Sequence, residues 1–346
     1  MNINYIRKCI LKNINYPKIF FIFFAIVLYP HTLYALDIFP FTTSNQSPLI
    51  RIYGLPSPGN AIVTPVGKID FQMALDLANN YIDDTAGRER IVLDGEGYQM
   101  KMVAIYGIAK GVECGIEIPY IVQTGGLLDG FIESYHSTFG FPQGGRDQAP
   151  KGRLLFQYQR NGIDRLKIDT SNSGFGDLRL TSAFQLYQSL NEGATAFALR
   201  TSLKLPTGDS GQLYGSGSTD LAVWLTASDD HKFSYGHSTI YGAVGAMVMT
   251  EGKVLESQQR RAVGFGNIGA GWSPATWIAF KIQIDGHTAF YNDSELVELS
   301  GHSVQFTIGG TLAMSKQITI DIGVTEDIII KTSPDVVFHV AVKSRF

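Results

Sequence analysis

Along most of the chain, apolar and polar residues alternate one by one. Between 277 and 287, Ile278, Phe280, Ile282 and Ile284 fall on one parity, while Lys281, Gln283, Asp285 and His287 fall on the other. "HSVQFTIGGTL" sets Val304, Phe306, Ile308 and Leu312 against Ser303, Gln305, Thr307 and Thr311. "QITIDIGV" sets Ile318, Ile320, Ile322 and Val324 against Gln317, Thr319 and Asp321. The same pattern separates Leu178, Leu180, Phe184 and Leu186 from Asp177, Arg179, Thr181 and Gln185. It separates Phe197, Leu199 and Leu203 from Arg200, Ser202 and Lys204, and Val112, Cys114, Ile116 and Ile118 from Glu113 and Glu117. Between 68 and 78 it opposes Ile69, Phe71, Met73, Leu75 and Leu77 to Asp70, Gln72 and Asp76. A period of two puts the two sets on opposite faces of a strand.

Strand length selects the fold. These segments run roughly 10–14 residues, against about 5–6 for soluble strands, and a membrane-crossing strand needs about 9–11. A soluble β-sandwich would alternate in the same way but with shorter strands. Short turns are expected near 314–317, 273–276, 228–232, 189–193 and 108–111. Longer loops are expected near 326–334, 291–301, 250–261, 206–218, 125–173 and 79–96. The pattern predicts an all-β fold: an antiparallel transmembrane β-barrel of about 12 strands (12–14) over residues 68–346, with both ends in the periplasm and a short helical external loop.

The last strand, "DVVFHVAVKSRF", fits a barrel that closes on itself. Phe338, Val340, Val342 and Phe346 share the apolar parity, and His339 lies on the other. Outer-membrane barrels characteristically end on an aromatic with apolar residues at alternate positions upstream, an assembly signal read by the insertion machinery. Ser344 departs from that pattern, where an apolar residue is usual. A Lys or Arg on the lipid face at mid-membrane costs about 2–4 kcal/mol. Phe280→Arg is therefore expected to prevent assembly and Gln283→Arg to permit it, read as the heat-modifiable shift in gel mobility.

The front of the chain supplies the compartment. Arg7, Lys8, Lys12 and Lys18 precede an apolar run from Ile19 to Tyr29, with small Ala35 beyond it. That is the layout of a signal peptide over residues 1–35, and the run is short for a spanning helix. A retained anchor helix is the alternative. Export by the general secretory route to the outer membrane of a Gram-negative bacterium is expected. Without those four basic residues, 24 Lys and Arg face 31 Asp and Glu, a net charge of −7. No nucleic-acid partner is expected. Cys114 is the one cysteine outside the leader, so no disulfide is expected within the chain. Neither a cofactor nor a metal site is expected.

Two stretches break the alternation. In 125–150, Leu127, Leu128, Phe131, Ile132, Tyr135 and Phe139 recur at helical spacing, with Asp129, Glu133 and His136 opposite and Gly140 and Pro142 as a stop. Residues 125–173 therefore read as a long external loop carrying a short helix. It is either a lid packed into the barrel mouth or a ligand gate with Arg146 and Asp147 at the entry. The other stretch, "SNQSPLIRIYGLP" within residues 36–67, is a periplasmic or lumenal segment. Leu49, Ile50, Ile52 and Leu55 would either plug the lumen or pair as an extra strand.

"LLDGFIESYHSTFGFPQGGRDQAP", the following "GFGDLRL" and the earlier "SNQSPLIRIYGLPSP" resemble an uncharacterised Gram-negative outer-membrane barrel family, domain-of-unknown-function family 3187. The resemblance extends over most of the mature chain. More distantly, "GFGD", "LKLPTG" and "GSGSTD" resemble outer-membrane channels of the phenol-degradation and long-chain-fatty-acid type. That likeness implies a transport role.

The polar parity yields lumen-lining candidates on a ligand path: Glu113, Glu117, Asp177, Arg179, Arg200, Lys204, Asp220, Lys281, Asp285, His287, Asp321 and His339. "GFGDL" and "GSGS" are turns, since neither lies between a strand and a helix as a phosphate cradle does. Asp285, His287 and Ser303 share one parity, and a closing register would set His287 opposite Ser303. A Ser–His–Asp lipid hydrolase is the remote alternative, with no catalytic residue assigned. Two functions stay open: passive transport or binding of a small, mainly apolar ligand, or a structural or surface-interaction barrel with a plugged lumen. Outer-membrane lipid and the insertion machinery are the expected partners in either case.

Overall fold

A computed structural model describes residues 36–126, 150, 152–189, 194–329 and 331–346. The expected signal peptide lies outside the described residues. So do the helical spacing in the 125–150 loop and its residues Phe131, Glu133, His136, Arg146 and Asp147.

The strands are β1 (Ile69–Ala86), β2 (Glu89–Ala109), β3 (Val112–Thr124), β4 (Leu155–Arg160), β5 (Ile163–Ile168), β6 (Asn172–Phe175), β7 (Arg179–Gln188) and β8 (Ala196–Lys204). There follow β9 (Asp220–Phe233), β10 (Gly236–Met249), β11 (Ala262–Ala275), β12 (Ile278–His287), β13 (Ser303–Ala313), β14 (Ile318–Asp327) and β15 (Val336–Arg345). Neighbours along the chain pair antiparallel from β7 through to β15. β15 then pairs with β1, β1 with β2, β2 with β3 and β3 with β7, which closes a ring of twelve strands. Closure satisfies every strand edge, which a sheet in hydrocarbon requires. Phe346 completes it: its N–H donates to Ile69 O at 2.9 Å, and Ile69 N–H donates back.

The pleat sorts residues by solvent. Along β12, Phe280 is 51% exposed and Ile282 47%, while Lys281 is 2% and Gln283 1%. Such a surface is stable only against acyl chains. Phe338, Val340 and Val342 stand on that outward parity of β15, opposite Leu77, Leu75 and Met73 of β1. Tyr106, Tyr187, Tyr235, Trp272, Trp277 and Phe346 are all exposed at the short-turn end of the barrel, in or beside the strand ends. They form an aromatic girdle of the kind that marks the membrane–water boundary.

Three expectations about connections are corrected. Residues 79–96 are not a loop: β1 and β2 continue as a ribbon to a tight turn at Gly87 and Arg88, with Gly87 left-handed at φ 55°. The β4–β5 hairpin adds to that ribbon through β2, so the 125–173 connection carries strands of its own. β9 runs on to Phe233, moving the expected 228–232 turn to Ser234 and Tyr235. Polar residues in these places marked loops by composition, but paired strands can extend into water beyond the membrane. β6 and β7 lie end to end on β3 and make one stave. A short helix, α1 (Val297–Ser300), sits in the β12–β13 loop.

Residues 36–65 contain no strand, and most of their side chains are buried. Of the two readings left open for 44–58, the structure shows irregular backbone inside the ring rather than an added strand.

Candidate functional site: a lumen threaded by the N-terminal segment

The segment runs in a long hairpin inside the barrel. Its ascending arm starts at the periplasmic ends of β10 and β11, where Leu36 N–H donates to Ser273 Oγ at 3.2 Å and Leu36 O contacts His237 Nε2 at 2.9 Å. Higher up, Phe41 N–H donates to Gln283 Oε1 at 2.9 Å, and Asn45 Nδ2 meets His287 Nε2 at 2.9 Å and Ser303 Oγ at 3.2 Å. The tip turns at Ser47, whose carbonyl accepts from Ile50 and Arg51 N–H. The descending arm passes β7–β9: Trp224 Nε1 donates to Pro58 O at 2.7 Å, and Gln185 Nε2 to Ala61 O at 2.7 Å. It leaves beside β2, where Val66 bridges Gly107 before β1 begins.

Irregular backbone inside a barrel must find donors for its carbonyls. Five wall cations supply them. Lys281 Nζ donates to Phe39 O at 3.1 Å and Lys101 Nζ to Thr42 O at 2.7 Å. Lys204 Nζ donates to Ile52 O at 3.2 Å, Arg179 Nη2 to Tyr53 O at 2.9 Å and Arg200 Nε to Asn60 O at 2.8 Å. Each cation is also paired with a wall carboxylate. Lys281 pairs with Asp321 at 3.1 Å, Lys101 with Asp76 at 3.1 Å and Arg179 with Glu117 at 3.1 Å. Arg200 pairs with Glu113 at 2.9 Å, and Lys204 with both Asp177 at 2.5 Å and Asp220 at 3.2 Å. Buried charges need such partners, because removing an ion from water costs several kcal/mol. The carboxylates bind the segment as well: Gly54 N–H donates to Asp220 at 2.7 Å, and Thr64 N–H to Glu113 at 2.5 Å.

The tip is held differently. Leu49, Ile50, Ile52, Tyr53 and Leu55 join one apolar cluster with Trp224, Met249, Leu255, Phe290, Tyr291 and Leu299 from the wall and outer loops. Tyr53 stacks on Phe290 with ring centres 4.9 Å apart. Arg51 is buried in this region with none of its guanidinium nitrogens hydrogen-bonded, and burial pushes its pKa down to about 10. A Cβ at Gly97 would lie 2.2 Å from Arg51 Nη1, so the guanidinium occupies the space that glycine leaves there.

Between the two arms and the β1–β3 and β13–β15 walls lies a cavity of about 280 Å³. Phe39, Val103 and Ile105 line it beside Lys101, Arg200 and Lys343, and the periplasmic-turn residues Lys316 and Gln317 stand at its edge.

All twelve lumen candidates are on the barrel wall facing this interior, or at its outer rim in the case of Asp177 and Asp220. Five of them, Glu113, Glu117, Arg179, Arg200 and Asp321, line the cavity; ten take part in ion pairs, and Asp285 and His287 form a separate group beside Asn45. His339 pairs with Asp76 at 2.6 Å instead of facing open lumen. His287 does stand opposite Ser303 in the β12–β13 register. However, its Nδ1 is 2.9 Å from Thr288 O, while Asp285 accepts from Gln283 Nε2, so no Ser–His–Asp relay is assembled. Lys101, which lines the cavity and binds Thr42 O, was not singled out by the alternation. Around Lys101 the inward positions Val103 and Ile105 are apolar, which erases the two-faced pattern.

The model of one family, described as protein of unknown function (DUF3187), matches residues 18–346. The chain belongs to this family. Among curated proteins none matches it. This DUF3187 chain is similar in structure to the COG4313 outer membrane channel from Pseudomonas putida F1, with TM-score 0.52 and 12% identity over 84% of this chain and 99% of that one. Two further structures match with lower scores. The NanC porin gives TM-score 0.41 and 8% identity over 80% of this chain and 98% of that one. The CymD monoaromatic hydrocarbon channel gives 0.35 and 10%, over 88% and 94%. The DUF3187 fold seen here is thus a closed antiparallel barrel of the outer-membrane type, as in the COG4313 structure.

Proposed function

We propose that this protein is an outer-membrane channel for a small amphipathic solute, closed at its outer end in this structure by the tip of its N-terminal segment. The observation that carries the reading is the cavity between the arms. Its lining of Phe39, Val103 and Ile105 beside Lys101 and Arg200 offers apolar contact and hydrogen-bonding groups to one molecule. Small-molecule sites are built in this way, apolar walls with a few placed polar groups. In this reading solute collects in the chamber, and displacement of the tip completes the path.

Uptake of benzoate at pH 8, where it is charged and crosses bare lipid slowly, tests this in proteoliposomes. Wild-type protein is expected to admit benzoate faster than glucose. Val103→Trp, which fills the chamber, is expected to abolish the difference while keeping the heat-modifiable gel shift. Equal benzoate uptake by wild type and a folded Val103→Trp variant would count against the channel. A second reading, a permanently plugged structural barrel, draws on the five wall cations bound to the segment's carbonyls. It requires benzoate uptake no faster than that of protein-free liposomes.

A further inference from the structure

Of the six wall carboxylates picked out by the alternation, five are paired with Lys or Arg: Glu113, Glu117, Asp177, Asp220 and Asp321. Asp285 is the exception. Among the described residues its one hydrogen-bond donor is the neutral amide of Gln283, whose Nε2 lies 3.0 and 2.9 Å from its two oxygens and is shared with Phe41 O at 3.5 Å. A carboxylate has about four lone-pair sites, and one amide nitrogen serves at most two of them.

The surroundings add no positive charge. His287 Nδ1 is 2.9 Å from a carbonyl and its Nε2 is 2.9 Å from the Asn45 amide nitrogen, which assigns the neutral tautomer with the proton on Nδ1. Lys281, two residues before Gln283, is committed to Asp321 and Phe39 O. Asp321 itself holds Lys343 at 2.7 Å.

Beside Asp285 is a void of about 30 Å³, lined also by Asn267, Gln305, His287 and Asn45. In the sheet register Asn267 stands directly opposite Asp285 on one side and Gln305 on the other. Both polar atoms of the Asn267 side chain lack a hydrogen-bond partner, and so does Nε2 of Gln305, which is only 3% exposed. Buried polar groups are nearly always satisfied, so a row of unsatisfied amides around a carboxylate needs a further group to face. A void of this size exceeds the roughly 10–15 Å³ that one water requires.

We infer that this void is a binding site for a single monovalent cation of the sodium class, held by the Asp285 carboxylate and the unpartnered Asn267 Oδ1, with the Gln305 amide turned so that its oxygen, and not its nitrogen, faces the ion. One negative charge matches one positive charge, and hard cations take such oxygen donors. This donor set has a single carboxylate; among the described residues no group of three or more His, Cys, Asp or Glu is arranged around a metal. The ion would lie between the wall and both arms of the segment, since Thr43, Ser44, Pro56 and Pro58 also line the void, with Leu55, Ala243 and Phe265 as its apolar side. The inference rests on the lumen geometry and stands whether or not the barrel conducts solute.

The test is thermal unfolding of the detergent-solubilised protein at pH 8 in sodium chloride against N-methylglucamine chloride at equal ionic strength. The large organic cation cannot enter the void. Sodium is expected to raise the midpoint saturably by about 1–2 °C, the shift that roughly 1 kcal/mol gives in a chain of this size. Asp285→Asn is expected to lose that increment while keeping the heat-modifiable gel shift, and Asp209→Asn, a loop carboxylate, to keep it. Three results overturn the site: equal midpoints in the two salts, an increment that survives Asp285→Asn, or an increment given by calcium and not by sodium. Equal midpoints would identify Asp285 as a protonated carboxyl facing water.

Discussion

The tip and the arms of the N-terminal segment lie in one lumen and are held by opposite chemistries. At the tip, Leu49, Ile52 and Tyr53 are stripped of water against Phe290, Met249 and Leu299. Along the arms, the carbonyls of Phe39, Thr42 and Asn60 are bound by Lys281, Lys101 and Arg200, and single side chains, Ile38, Phe41 and Val63, pack into the wall. Apolar burial depends on shape and is lost together when one member leaves. Hydrogen bonds to cations can be replaced by water, so each contributes only modestly as long as water has access. The tip is thus held mainly by apolar packing and the arms mainly by bonds from the wall to backbone carbonyls.

The largest expected effect would break this comparison from the arm side. Arg200→Met leaves Glu113 buried with only the Thr64 N–H, and removing one partner of a buried pair costs about 3–5 kcal/mol. The unfolding midpoint in denaturant should fall accordingly, and Arg200→Met combined with Glu113→Gln should recover most of the loss. A double variant as unstable as the single one would mean that the pair itself is not what matters. At the tip, Leu49→Ala removes a fully buried side chain, costing about 2–5 kcal/mol. Protease nicking within 47–53 should increase; an unchanged pattern would show that the cluster does not hold the tip.

Smaller effects sharpen the contrast. Lys281→Met leaves Asp321 still paired with Lys343, so only Phe39 O loses its donor, an effect of about 1–3 kcal/mol. A loss as large as that of Arg200→Met would show that Lys343 does not compensate. The smallest effect lies outside the membrane, in α1 above the tip. Burial raises the pKa of Glu298 above its usual 4.5, with the nearby Asp84 adding to the rise. The folded protein therefore holds this proton more tightly than the unfolded chain does. Its contribution is fully present below pH 4.5 and declines as pH rises through the raised value. Glu298→Gln should flatten that part of the pH–stability curve, and a curve of unchanged slope would assign it to another group.

How much of this was legible in the sequence varies from element to element. β12 was fully legible, because Phe280, Ile282 and Ile284 face lipid while Lys281 and Gln283 face the lumen, and no residue breaks the order. The outer ends of β1 and β2 were not: where a ribbon projects into water on both faces, Asp83, Asp84 and Arg90 read as a loop. β2 hid Lys101 because Val103 and Ile105 turn inward onto the cavity. The charged parity was correctly placed on the inner wall, yet its role was not legible, since the ion pairs join strands far apart in sequence. Glu113 and Arg200 are 87 residues apart.

Alternation at a period of two is a local property, and the membrane enforces it strand by strand. The chain alone therefore determined a barrel, its twelve-strand scale and which face of each strand meets lipid. Whether the lumen is open is a question of what enters it, and residues 36–65 carry no periodic signal to say so. Only the folded ring brings Phe39 O to Lys281 and Asn60 O to Arg200, and only it leaves Asp285 without a Lys or Arg partner among the described residues. These contacts depend on closure, because backbone carbonyls have no sequence signature and become specific only when a wall of donors surrounds them.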